Sequence, residues 1–99
     1  MPHTGGVSAV INATVTPVSG VSANAFTLLA ENRGRNYFMI WNPTAVVLYV
    51  KLGASASSAD YTFPIAAGAG YESGAACYTG LITGRLASST GTIQVTEGA

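Results

Sequence analysis

The chain has 99 residues, eight of them charged, four basic and four acidic, so its net charge is zero. A soluble domain usually carries about 25% charged residues and a net charge some units away from zero. The deficit argues against a basic nucleic-acid footprint and against a self-repelling, freely diffusing surface, and it predicts faces covered by other protein.

In chain order, residues 1–6 hold Pro2 and the pair Gly5-Gly6 without periodicity and read as a flexible arm. From Val7 to Thr16 the residues Val7, Ala9, Ile11, Ala13 and Val15 alternate with Ser8, Val10, Asn12, Thr14 and Thr16. That period of two predicts a strand with one apolar face, ended by Pro17 and Gly20. Ala25–Ala30 is a short apolar strand, and the polar turn Glu31–Arg35 leads into Asn36–Asn42, the most aromatic stretch. Five consecutive apolar residues, Tyr37–Trp41, suggest a strand covered on both sides. Asn42-Pro43-Thr44 reads as a turn, and Val46–Leu52 as the returning strand of a hairpin over residues 36–52.

Gly53–Ser58 is a loop of small residues. Tyr61, Phe63 and Ile65 alternate with Thr62 and Pro64, and the proline argues for a sheet edge. Ala66–Gly70 reads as a loop and Tyr71-Glu72 as the start of a short strand. Leu81–Ala87 is a strand in which Gly84 marks a bulge or a close approach. Thr92–Glu97 closes the chain with Ile93 and Val95 inward and Thr92, Gln94 and Thr96 outward. Seven or eight short strands, frequent Gly and no helical periodicity predict an all-β fold, a small β-sandwich or jelly-roll-like barrel of antiparallel strands over residues 7–99. Its core is expected at Phe38, Ile40, Trp41, Val46, Leu48, Val50, Phe63, Ile82, Leu86, Ile93 and Val95.

No run approaches the ~18 apolar residues that span a bilayer, and the first residues lack the pattern of a secretory signal, so no membrane partner is expected. The lone Cys77 suits a reducing cytosol. Catalysis needs oriented proton carriers or nucleophiles. His3 stands in the arm, Cys77 has no cation near it in sequence, and Glu31, Asp60, Glu72 and Glu97 are far apart. No enzyme activity, metal or cofactor is expected. Arg33, Arg35 and Lys51 beside Tyr37, Phe38, Trp41 and Tyr49 make the best case for base stacking, but the zero net charge weighs against a nucleic-acid partner.

Four segments carry a resemblance: Arg35–Asn42 (an Arg leading an aromatic-aliphatic strand to Asn), Leu48-Tyr49-Val50 running into Gly53, Phe63–Gly68, and Ile93–Glu97. Together they resemble small structural proteins of tailed bacteriophage virions, most of all capsid decoration (cement) proteins. The resemblance spans Glu31 to Glu97. It implies a non-enzymatic protein on the capsid exterior, made in the host bacterial cytoplasm, whose partners are the major capsid protein and copies of itself, as a homotrimer. Residues 1–30 carry no Asp, Glu, Lys or Arg. The expected contact with the coat therefore falls on Met1, Pro2, His3, Thr4, Gly5, Gly6 and Val7. The alternative implied by the same style of sequence is a phage tail or fibre module binding a receptor or glycan, with Tyr61, Tyr71 and Tyr78 as stacking platforms.

Overall fold

The computed structural model describes residues 12–99. Eight antiparallel strands form, because short β-branched and aromatic runs are separated by Gly, Ser, Asn and Pro. They are β1 (Ala13–Val21), β2 (Phe26–Leu29), β3 (Tyr37–Asn42), β4 (Leu48–Lys51), β5 (Phe63–Ile65), β6 (Ala69–Glu72), β7 (Ile82–Leu86) and β8 (Thr90–Gly98). Two four-stranded sheets result, with orders β1-β8-β3-β6 (sheet A) and β2-β7-β4-β5 (sheet B).

The pairing is nested. β1 pairs with β8, β2 with β7, β3 with β6 and β4 with β5; β8 then also pairs with β3, and β7 with β4. A long antiparallel ribbon rolled over on itself in this way has jelly-roll connectivity. The sandwich is slim and long, 46 × 21 × 17 Å.

The core fills the space between the sheets. Sheet A contributes Phe38, Ile40, Ile93 and Val95; sheet B contributes Leu28, Leu29, Leu48, Val50, Ile65, Ile82 and Leu86. Val46 and Phe63 are half-buried and pack against this cluster. Two consecutive leucines, Leu28 and Leu29, can both be buried because the β2–β7 register slips between Thr27 and Leu29. A strand otherwise sends neighbouring side chains to opposite faces, and the bulge cancels that alternation once.

Three expectations are corrected. Trp41 is not core: it is 40% exposed, since Phe38, Ile40 and Asn42 take the inward positions of β3 and leave Tyr37, Met39 and Trp41 on the outer face. Residues 36–52 are not a hairpin, because β3 lies in sheet A and β4 in sheet B. The buried Asn42 side chain turns the chain across. Its amide donates to the carbonyls of Val46 (2.9 Å), Ile65 (3.1 Å) and Ala66 (3.3 Å), and its oxygen accepts from Thr44 N and Oγ1. Finally, β1 runs through Pro17 and Gly20. Asn12 and Ala99 exchange both backbone hydrogen bonds, so in the unbroken register that follows the even residues of β1 bond β8. Pro17 therefore sits where its missing N–H would have pointed off the sheet edge. Gly20 is buried, where a Cβ would stand 2.9 Å from Phe26 Cζ.

The small-residue loop after β4 folds back on sheet B. Ala56 is buried, its N–H donates to Thr83 Oγ1 (3.1 Å), and that hydroxyl donates to the Gly53 carbonyl (2.7 Å).

Candidate interaction surface

Strand alternation and the cross-strand register define the two outer faces. On sheet A, one row runs Val15–Thr96–Met39–Glu72 and the next runs Pro17–Gln94–Trp41–Gly70. Ser19 and Thr92 continue the surface along β1 and β8. Val15 is 61% exposed, and Pro17, Gln94 and Trp41 are exposed as well. Trp41 rests across its β6 neighbour: a Cβ at Gly70 would stand 2.8 Å from Trp41 Cε3 and 3.4 Å from the Met39 methyl. The absent side chain at Gly70 is what lets the indole lie on the sheet.

The apolar face expected for the first strand is present at Ala13 and Val15, but it points outward, because Val18 and Gly20 occupy the core side. The remainder of that alternation, Val7, Ala9 and Ile11, and the proposed contact residues Met1, Pro2, His3, Thr4, Gly5, Gly6 and Val7, lie outside the described residues.

Glu72 is the single charge on this face. Its Oε2 accepts from the Tyr37 hydroxyl at 2.6 Å. That hydrogen bond, followed by burial and the carboxylate charge, raises the Tyr37 phenol above its ordinary value. The other charges are elsewhere. Arg33 and Glu31 form an exposed pair at 3.4 Å, and Lys51 pairs with Asp60 on the sheet B side. Arg85, also on sheet B, donates to the carbonyls of Ser22 and Ala23.

Arg35 is not a solvated turn residue. Its side chain is fully buried and donates to Glu97 Oε2 (2.8 Å) and to the carbonyls of Tyr78, Gly80 and Ala30. All eight charged side chains of the protein thus have a partner within the chain.

The residues that made the best sequence case for base stacking are dispersed. Phe38 and Arg35 are buried, Tyr37 and Trp41 face outward on sheet A, and Tyr49 and Lys51 lie on the opposite face of the sandwich. The three tyrosines weighed for glycan stacking are also separated. Tyr71 closes the open side of the sandwich, stacked on Phe63 (4.2 Å) and near Phe38 (5.8 Å). Tyr61 leans on Tyr49 at 4.8 Å, and Tyr78 follows the half-buried Cys77, which packs against the core.

Among the described residues no three His, Cys, Asp or Glu side chains converge, and the surface holds no pocket. The outward aromatic-aliphatic face of sheet A was missed in sequence because a run such as Tyr37–Trp41 is apolar at every position. Periodicity cannot say which half of such a run is inward. No family model, curated protein or solved structure matches this chain.

Proposed function

We propose that this chain is a non-enzymatic virion structural protein that decorates a phage capsid, binding the coat lattice and stabilising the head. The observation that carries the reading is the outer face of sheet A: apolar and polar-uncharged, broad, and bearing one already bonded carboxylate. Such a face matches the charge-depleted core of a protein interface. Jelly rolls serve in capsid proteins as well as in lectins, so the connectivity is compatible with the role without deciding it. The sequence resemblance to tailed-phage decoration proteins points the same way.

In this reading the body stands on the capsid exterior among copies of itself, and the uncharged segment Met1–Val7 reaches the coat. Ordering such a segment on binding costs entropy but lets it cross a seam between subunits. The test uses capsids that lack the protein. Purified protein should bind them saturably and raise the temperature at which they disrupt, and removal of Met1–Gly6 should weaken binding without changing the fold. Absence of both binding and stabilisation overturns the proposal.

One observation favours a second reading, a glycan-binding tail or fibre module. The Tyr49–Tyr61 pair sits beside the Lys51–Asp60 ion pair on the sheet B side, with Tyr61 exposed. Binding on a glycan array that is lost in Tyr61→Ala would move the assignment to that module.

A further inference from the structure

We infer that the outer face of sheet A is a self-association surface, on which a second copy of this chain packs face to face about a two-fold axis parallel to β8 and midway between the copies, above Gln94. The inference rests on the assembly reading above for its purpose, but its geometry needs no capsid.

The cross-strand register supplies the match. In the row Pro17–Gln94–Trp41, Gln94 lies on β8 with Pro17 on one side and Trp41 on the other. A two-fold axis parallel to β8 exchanges left and right. It therefore sets Trp41 over the partner's Pro17, and does so twice, with the two glutamines opposite each other at the centre. An isologous contact of this kind must be self-complementary. An indole against a proline ring is such a pair, and the absent side chain at Gly70 leaves room for Trp41 close to the sheet.

Charge favours a like partner. The face offers nothing for a charged partner to read, and with a net charge of zero no long-range repulsion separates two copies. Its single carboxylate, Glu72, is bonded to Tyr37 and sits at the β6 edge of the face, away from the axis.

Among the described residues β1 is the longest edge strand and so the main competing route to a dimer, and Pro17 interrupts it. The outward backbone positions are the odd ones, and Pro17 lacks the N–H that would continue a ladder there. The contact is thereby directed to the face.

Area sets the strength. Strands of nine residues run about 30 Å, and four strands span roughly 15–19 Å. With the axis over β8, β3 of one copy covers β1 of the other and β6 overhangs, so each copy offers roughly 350 Å² and the pair roughly 700 Å², the size of a weak contact. Isolated protein should therefore associate reversibly, and a lattice holding many copies would strengthen the contact through avidity.

The test is sedimentation of the full chain from micromolar to millimolar concentration, read together with emission from its single tryptophan. Wild type should pass from monomer to dimer as Trp41 emission shifts to the blue. Gln94→Lys and Gln94→Glu place like charges opposite each other across the axis, so each should stay monomeric. An equimolar mixture of the two should dimerise. Thr27→Lys, on the exposed side of sheet B, should behave as wild type.

A wild type that is monomeric throughout with constant emission overturns the inference, as does a Gln94→Lys variant that dimerises normally. Blue emission at every dilution that reddens when Met1–Ile11 is removed also overturns it, and assigns the face to the chain's own leading segment. Because no capsid enters this experiment, its failure leaves the capsid-binding assay standing, and the reverse holds too.

Discussion

Individual polar residues hold this fold at points where the backbone leaves its strands. Asn42 is the clearest case, fully buried and engaged through both ends of its amide. Asn42→Ala takes the side-chain donor from the Ile65 carbonyl and the acceptor from the Thr44 N–H, while the Val46 and Ala66 carbonyls keep Thr44 Oγ1 and Ala69 N. Unsatisfied buried groups cost about 1–3 kcal/mol each when no water reaches them. The variant should lose about 3 kcal/mol, seen as a lower urea midpoint at an unchanged denaturant slope. Arg35 does comparable work at the other end of the sandwich, gathering three carbonyls and the Glu97 carboxylate around a guanidinium with five donors. Tyr37 gives a pH signature. Its phenol is raised above the usual value of about 10 by the bond to Glu72, so the stabilisation is complete below that value and is lost as pH rises through the higher folded one. The stability difference between wild type and Tyr37→Phe should stay constant from neutral pH to about 9 and shrink above about 10. A difference unchanged through that alkaline range would remove the pair from the stability account.

At the scale of the element, β2 shows how packing overrides alternation. Leu28 is buried over Gly84, where an added Cβ would stand 2.9 Å from Leu28 Cδ1 and 3.2 Å from Leu48 Cδ1. Gly84→Ala should therefore destabilise by about 1–3 kcal/mol through overpacking. In combination with Leu28→Ala the two costs should fall well short of additive, because the smaller residue makes room for the new methyl. Chemical denaturation of the two single variants and the double variant measures that coupling. The same element shows what sequence could tell. Local period-two patterns located β4 and β8 and the inward pair Ile93 and Val95, because alternation is written in adjacent residues. Pro64 marked β5 as an edge strand, and it is one. The arch from β3 to β4 was not legible, since it depends on Asn42 meeting carbonyls 23 and 24 residues away. Trp41 was misplaced for a related reason: its exposure follows from Asn42 taking the inward position beside it.

For the molecule as a whole, nesting governs how the fold is reached. The β1–β8 ladder joins Ala13 to Gly98, and the β2–β7 ladder joins Phe26 to Gly84. Loop closure must precede these contacts, and proteins dominated by non-local strand pairing fold in milliseconds to seconds. Stopped-flow refolding followed by far-ultraviolet circular dichroism should show relaxation on that scale, and submillisecond recovery of the full signal would contradict the nested topology. The resemblance to virion proteins drew on short motifs, whereas the surface proposed for assembly is a property of register between strands far apart in sequence. That separation is why the composition and the uncharged leading residues pointed to Met1–Val7 and not to this face. The central place of β8 in sheet A, between β1 and β3, then has a consequence in time. Translation makes β1, β3 and β6 first, and β3 and β6 pair directly, but β1 is not joined to them until the eighth strand is laid between β1 and β3. A chain stalled or clipped before Thr90 carries Trp41, Pro17 and Val15 without the face that aligns them. Incomplete copies are thereby barred from any assembly that reads that face, and the order of synthesis itself acts as an inspection step.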